Sequence, residues 1–190
     1  MDHTPSTGLA GHHVENQSGI SADDIVIEPL IQGDESTVRD LIRRNLQGYE
    51  EAGTVLAATF RRLEALFETY SSVGHKLFVA RDMSKGGQPI GAAGLGTFHG
   101  LPLTEKLGEV RDMVVEGAYR GRGLGTRLLK RCLDESRKTG YQRIYLETTP
   151  QMEQAKKLFL RYGFRPITQG GGAADPSGNF PSYFLLEQNL

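Results

Sequence analysis

A single cysteine, almost no net charge and no long apolar run narrow the possibilities before any motif is read. Cys132 alone cannot build an internal disulfide framework. With 22 Lys and Arg against 23 Asp and Glu, the net charge of −1 gives no electrostatic case for nucleic acid, whose binding rests on clustered basic excess. No apolar run reaches the roughly 18 residues of a membrane span or follows a basic start as a signal peptide does. We therefore expect no nucleic-acid or membrane partner and a cytoplasmic location. What is present is 190 residues, 38% hydrophobic and 24% charged, enough for one core and too few for two comfortable domains.

Residues 1–22 are polar, contain Gly and Ser and lack periodicity, so they read as a mobile tail ahead of a domain over 23–190. His3, His12 and His13 fall in that tail without a fixed partner and read as solvated; no metal site is expected. Ile25, Val26 and Ile27 begin a strand, and Asp34 offers an N-cap to a helix carrying Val38, Leu41, Ile42 and Leu46 on one face. Leu56, Phe60, Leu63, Phe67 and Tyr70 keep to a second helical stripe that ends at Gly74. The period then becomes strand-like over 77–80 and 90–95, joined by a turn-rich stretch at 85–89 that suits an antiparallel hairpin. Residues 109–115 form the next strand. A helix to about 138, a strand over 143–148, a helix over about 150–162 and strands near 164–168 and 183–187 follow. The fold class is α/β (α+β): one mixed sheet with helices on both faces, the first two helices forming one wall of a cleft.

The most informative segment is Arg120-Gly121-Arg122-Gly123-Leu124-Gly125, between the apolar Met113-Val114-Val115 and a helical run through Leu128, Leu129, Cys132 and Leu133. A strand, a glycine turn and a helix start leave backbone N–H groups unpaired at a positive dipole end, which suits phosphate. A dinucleotide fingerprint fits poorly, because Thr126 stands where its last Gly or Ala belongs and the loop comes late in the chain. A nucleotide P-loop fails, because Gly125-Thr126-Arg127 lacks its lysine.

The form that fits is Arg-x-x-Gly-x-Gly, and here the chain resembles the GCN5-related N-acetyltransferase (GNAT) family. The resemblance runs from Glu109 to Pro166 through four blocks in order: residues 109–115, 119–125 and 146–150, then Ala155 with Gly163-Phe164-Arg165-Pro166. It implies a mostly antiparallel twisted sheet of about seven strands and acetyl-CoA as co-substrate. It also implies that Met113, Val114 and Val115 line the pantetheine arm while Arg120, Gly121, Arg122, Gly123, Leu124, Gly125 and Thr126 hold the phosphates. The chain departs from the family twice. Phe159 stands where many members carry a tyrosine that protonates the departing thiolate, and Met152 stands where many carry an asparagine that bonds the pantetheine.

Acetyl transfer to an amine needs a neutral nitrogen, so a base must take a proton near the thioester. Glu109 is the candidate general base, at the position where family members carry a catalytic glutamate. Its alternative is an ion pair with Arg111, on the same strand face. Arg111 could instead bind a substrate carboxylate. Tyr162 is a candidate acid in place of Phe159, against the alternative of helix-end packing. His99, in a turn beside Gly100, is a weaker candidate base, and Cys132 reads as core rather than nucleophile. The Gly-rich stretch 170–179 could serve as a lid or be an idle surface excursion.

The expected function is acetyl-CoA-dependent N-acetylation of a primary amine, small molecule or peptide, by direct attack. The alternative is a non-catalytic acyl-CoA-binding sensor or partner module. The sequence fixes neither the acceptor nor acetyl against a longer acyl group. An exposed late strand pairing with its twin offers a route to a homodimer.

Overall fold

The fold comes from a computed structural model, which describes residues 21–47, 54–149, 152–167 and 182–188. Strand β1 (Ile25–Pro29) leads to helices α1 (Glu35–Leu46), α2 (Thr54–Glu64) and α3 (Leu66–Ser71). Strands β2 (Lys76–Asp82), β3 (Gln88–Thr97) and β4 (Leu107–Val115) follow, then α4 (Leu124–Thr139) and β5 (Arg143–Thr148). Helix α5 (Glu153–Arg161) precedes β6 (Arg165–Ile167) and β7 (Ser182–Glu187). The described strands form one seven-stranded sheet in the order β1-β2-β3-β4-β5-β7-β6, in which only β4 and β5 pair in parallel.

Strand alternation sorts the apolar side chains onto two faces. On one, Phe78, Ala80, Val110, Ile144 and Leu146 pack with Leu128, Leu129 and Cys132 of α4 and with Leu158 and Phe159 of α5. On the other, Leu77, Val79, Ala92 and Val114 meet Val38, Leu41 and Ile42 of α1 and Leu66 and Tyr70 of α3. The helical stripe read from α1 is therefore its buried face. Each fully buried leucine or isoleucine contributes about 1.5–3 kcal/mol.

Strand β4 breaks the alternation. Val110 belongs to the first cluster and Val114 to the second, although residues four apart in an uninterrupted strand share a face. An extra residue lies between them: the register with β3 slips between Ala92 and Gly94, and Asp112 adopts φ +51°, a left-handed conformation that aspartate tolerates better than most residues. The bulge is held electrostatically. The buried Asp112 carboxylate accepts from Arg62 of α2, Nε at 3.1 Å and Nη2 at 2.7 Å, and from the Tyr70 hydroxyl. Arg62 also donates to Thr59 Oγ1 at 3.0 Å.

Some local expectations change. The single helix expected through Leu56 to Tyr70 is two, because Ala65 leaves helical geometry at φ −125°, ψ 52°. The break lets Arg62 of α2 and Tyr70 of α3 converge on one carboxylate. Asp34 precedes α1 as expected, but its side chain caps nothing; it pairs instead with Arg81, a mostly buried guanidinium whose charge needs a partner more than an exposed N–H does. A 3-10 turn, Ala22–Asp24, leads into β1. Residues 1–20, with His3, His12 and His13, and the 170–179 segment lie outside the described residues. Of the late strands, β7 is interior and the three-residue β6 forms the edge.

Burial alone would raise the Asp112 pKa, but its hydrogen-bonded Arg62 guanidinium outweighs that and holds it below the usual carboxylate value. The folded-state pKa is thus below the unfolded one, so this stabilisation is complete above about pH 4 and is lost as pH falls further. Urea unfolding at about pH 5 and pH 3 is expected to show a steeper loss of stability for the wild type than for Asp112→Asn. Equal slopes would remove Asp112 from the account.

Candidate active site

The loop between β4 and α4 is built as the glycine pattern requires. Gly121 and Gly123 take φ +75° and +77°, and α4 begins at Leu124 without a side-chain cap. Among the described residues, the N–H groups of Gly121 to Thr126 have no backbone partner; the first such bond of the helix runs from Arg127 to the Gly123 carbonyl at 3.1 Å. A Cβ at Gly121 or Gly123 would meet nothing within 4 Å, so the backbone is open to an approaching anion. Gly125 instead faces Met113, Val115 and Leu158. Arg122 is exposed, but Arg120 is largely spent: its Nε donates to the Val115 carbonyl at 2.8 Å and its Nη2 to Asn45 Oδ1 at 3.0 Å. Arg44 grips Glu116 at 2.8 and 3.0 Å, so α1 braces the loop at two points.

Beyond the bulge, β4 and β5 part company. Their parallel pairing ends at Val110 and Leu146, while β4 continues to Val115 and β5 to Thr148. The facing backbone edge of β4, residues 111–115, is therefore available to an extended ligand, and the cleft leads to the open helix start. At the far end of β5 the Thr149 hydroxyl is buried without a partner among the described residues. Free N–H groups, a strand edge lacking its neighbour and an orphaned hydroxyl fit a chain of phosphates and amides such as acetyl-CoA. Met152, by contrast, packs its thioether against the α1–α3 cluster and offers no donor.

A cluster of ionisable groups lies at this cleft on the α1–α3 face. Glu109 and Arg111 of β4 pair at 3.5 Å, and Arg111 stacks 5.5 Å from the Tyr70 ring centre. A side chain on Gly96 would collide with that guanidinium and with the His75 ring, so the glycine makes room for Arg111 to lie flat on β3. Glu109 is level with Tyr145 on β5, and Glu147 lies two residues further along the same face. Burial first, and Glu109 nearby, raise the Glu147 pKa above the ordinary carboxylate value. The Tyr183 hydroxyl on β7 bonds to Glu147, and its own pKa is pushed up to about 12 by burial and by that carboxylate. His75 is held below the usual histidine value by burial and by Arg111.

Sequence reasoning missed Glu147, Tyr183 and the Arg62–Asp112 pair. The alternation Ile144-Tyr145-Leu146-Glu147 does signal that Glu147 faces away from the core, but its distance from Glu109 depends on strand pairing. Other candidates are elsewhere. Tyr162 ends α5 and packs against the cluster on the opposite face of the sheet from Glu109. Phe159 is core, against Phe164 and Phe184. His99 is exposed at the rim in a left-handed conformation, 4.2 Å from the Phe98 ring. Cys132 is buried in the core, and burial pushes its thiol pKa up, away from nucleophilic use. Among the described residues no group of His, Cys, Asp and Glu could hold a metal ion, and no helix is long and apolar enough to cross a membrane.

Known proteins share this fold. A chain from Salmonella typhimurium, described as yncA, a putative acetyltransferase with its cofactor acetyl-CoA, superposes with a TM-score of 0.70 at 20% identity, over 87% of this chain and 95% of that one. An N-acetyltransferase from Staphylococcus aureus Mu50 gives 0.69 at 21% identity, over 86% and 98%. By sequence, the chain is 30% identical over 105 residues to the uncharacterized N-acetyltransferase YjgM of Escherichia coli (strain K12), 55% of this chain and 60% of YjgM. It is 31% identical over 96 residues to glucosamine 6-phosphate N-acetyltransferase 1 of Oryza sativa subsp. japonica, 50% of this chain and 58% of that one. The matches thus span about 60% of the length of these curated relatives. The sequence profile described as Acetyltransferase (GNAT) family matches residues 40–164, from α1 through the glycine loop to the end of α5. The chain belongs to the GNAT acetyltransferase family, a family of acyl-transferring enzymes.

Proposed function

We propose that this protein transfers the acetyl group of acetyl-CoA to a primary amine by direct attack. The observation that carries the reading is that an open helix start, an unpaired strand edge and two carboxylates meet at one cleft. Acetyl-CoA, when bound, supplies an activated acyl carbonyl and a thiolate leaving group. The N–H groups of Gly121, Arg122, Gly123, Leu124, Gly125 and Thr126 hold its phosphates, with Arg120 stiffening the loop through Val115 and Asn45. The backbone of Met113, Val114 and Val115 lines the arm.

Glu109 and Glu147 receive the acceptor as an ammonium and form the base site. Arg111 positions Glu109, and Glu147, made more basic by burial and by Glu109, takes the proton. The freed nitrogen forms its bond to the acyl carbon as the carbon–sulfur bond breaks. The second proton of that nitrogen passes through water to the thiolate, since Phe159 has no proton to give and Tyr162 packs on the other face. Buried Cys132 offers no acyl-enzyme route.

Glu147 must be ionised to act, so kcat/KM is expected to fall as pH drops through a value above the ordinary glutamate pKa of about 4.3. Glu109→Gln removes the neighbouring negative charge and should move that acid limb to lower pH. Glu147→Gln should lower kcat by about 10²–10⁴ with acetyl-CoA affinity unchanged. An unmoved limb and an active Glu147→Gln enzyme would shift the base role elsewhere.

Calorimetric titration with acetyl-CoA followed by thiol release on an amine panel tests the whole reading. Binding together with release establishes transfer; binding without release to any amine favours the sensor. Gly123→Ala, at φ +77°, carries about 1–2 kcal/mol of left-handed strain and places a methyl group at the anion site, so acetyl-CoA should bind measurably more weakly. Unaltered affinity would sink the loop assignment.

A further inference from the structure

Beyond β4, α5 packs on one face of the sheet, while the cluster on the other face takes no residue from β5, β6 or β7. Two rows of side chains cross this second face. Glu109, Tyr145, Leu185 and Arg165 are successive register partners on β4, β5, β7 and β6, and Glu147, Tyr183 and Ile167 form the next row. Phe98, from the turn after β3, stacks on Tyr145 with ring centres 4.1 Å apart and planes 22° from parallel. Phe98, Tyr145, Tyr183 and Leu185 are all half-buried, yet none belongs to either core cluster. These rings therefore sit beside the carboxylates without serving the core.

The charges at the cleft decide what such a surface accepts. Arg62 is committed to Asp112 and Thr59. The side chain of Arg111 is only 10% exposed and lies between Glu109 and Tyr70. Arg165 is two strands beyond Glu147 and one row back, roughly 12 Å away. Nearest the cleft, then, are two carboxylates and aromatic faces, with the exposed His99 beside Phe98 and acting on Glu147, a combination that attracts an ammonium with an apolar substituent. Tyr145 and Glu147 are two strand residues apart, roughly 6.6 Å, a spacing that a short alkyl link between an amine and a ring can bridge.

Resting on the transferase reading above, we propose that the acceptor is a primary amine joined by a short link to an aromatic ring. Its ammonium lies at Glu109 and Glu147, and its ring lies on the face made by Tyr145 and Phe98. An acceptor recognised through a phosphate or carboxylate group would meet two carboxylates there, with Arg111 already paired to Glu109.

The chain has no tryptophan, so the indole emission of added tryptamine reports only the ligand. Titration of the full chain, with CoA present, should show saturable tryptamine binding that Phe98→Ala and Tyr145→Ala each weaken by about 3- to 10-fold. CoA affinity by calorimetry should stay unchanged in both variants, which also reports their folding. Tyr145→Leu, which keeps an apolar side chain, serves if the alanine variant does not fold. In thiol release with acetyl-CoA, tryptamine and phenylethylamine should outpace glucosamine 6-phosphate, glutamate and spermidine. CoA binding with faster release on any of those three, or ring variants that bind tryptamine as the wild type does, would overturn the acceptor class while leaving the transferase intact. No CoA binding would overturn both.

Discussion

The Arg62–Asp112 ion pair is the contact on which the geometry of the site depends. Asp112 is the extra residue of β4, and a left-handed residue inside a strand persists only where its surroundings over-determine it. Here a two-point guanidinium contact and a tyrosine hydroxyl do so, across 50 and 42 residues of sequence. The bulge reverses the faces of everything after it: Val110 points to the α4 side, Val114 to the α1 side, and Met113 and Val115 return to the α4 side. It also marks where β4 and β5 stop pairing. A buried ion pair of this kind costs desolvation and adds little net stability when intact, so its contribution is to geometry.

The same pair links the surroundings proposed for the two substrates. Arg62 belongs to α2, on the proposed acceptor wall, and Asp112 to the strand whose later residues border the proposed acetyl-CoA cleft. On the other flank, Arg44 and Asn45 of α1 hold Glu116 and Arg120 at the entrance to the glycine loop. Helices α1 and α2, which wall the proposed acceptor site, are thus fastened to β4 and the loop after it at both ends of the strand's free edge.

How much of this could be read from the chain follows from the range of the interactions. The glycine loop, the helix after it and the 143–148 strand are local patterns, and all three are where the periodicity puts them. The α2–α3 break is not legible, because Ala65 is a good helix former and the reason for leaving the helix lies on β4. The pairing of Glu109 with Arg111 is legible from strand spacing, and the structure contains it. Glu147 was invisible as a partner of Glu109, since parallel pairing of β4 and β5 skips the whole of α4. Arg120 looks like a phosphate ligand in sequence, yet its donors are used by the protein itself, something only the fold around Asn45 reveals.

The two apolar clusters lie on opposite sides of the sheet, and Tyr145, Glu147, Tyr183 and Leu185 belong to neither. Substitutions there cost less than cavities opened in a core, where losses reach about 2–5 kcal/mol, and distant sites add nearly independently. Acceptor preference in this fold can therefore drift without jeopardising the scaffold, whereas the residues beneath α4 and α5 cannot. On the proposed reading, a lineage that keeps Glu147 is free to explore new amines by altering the rest of this half-exposed sheet face while inheriting its donor chemistry unchanged.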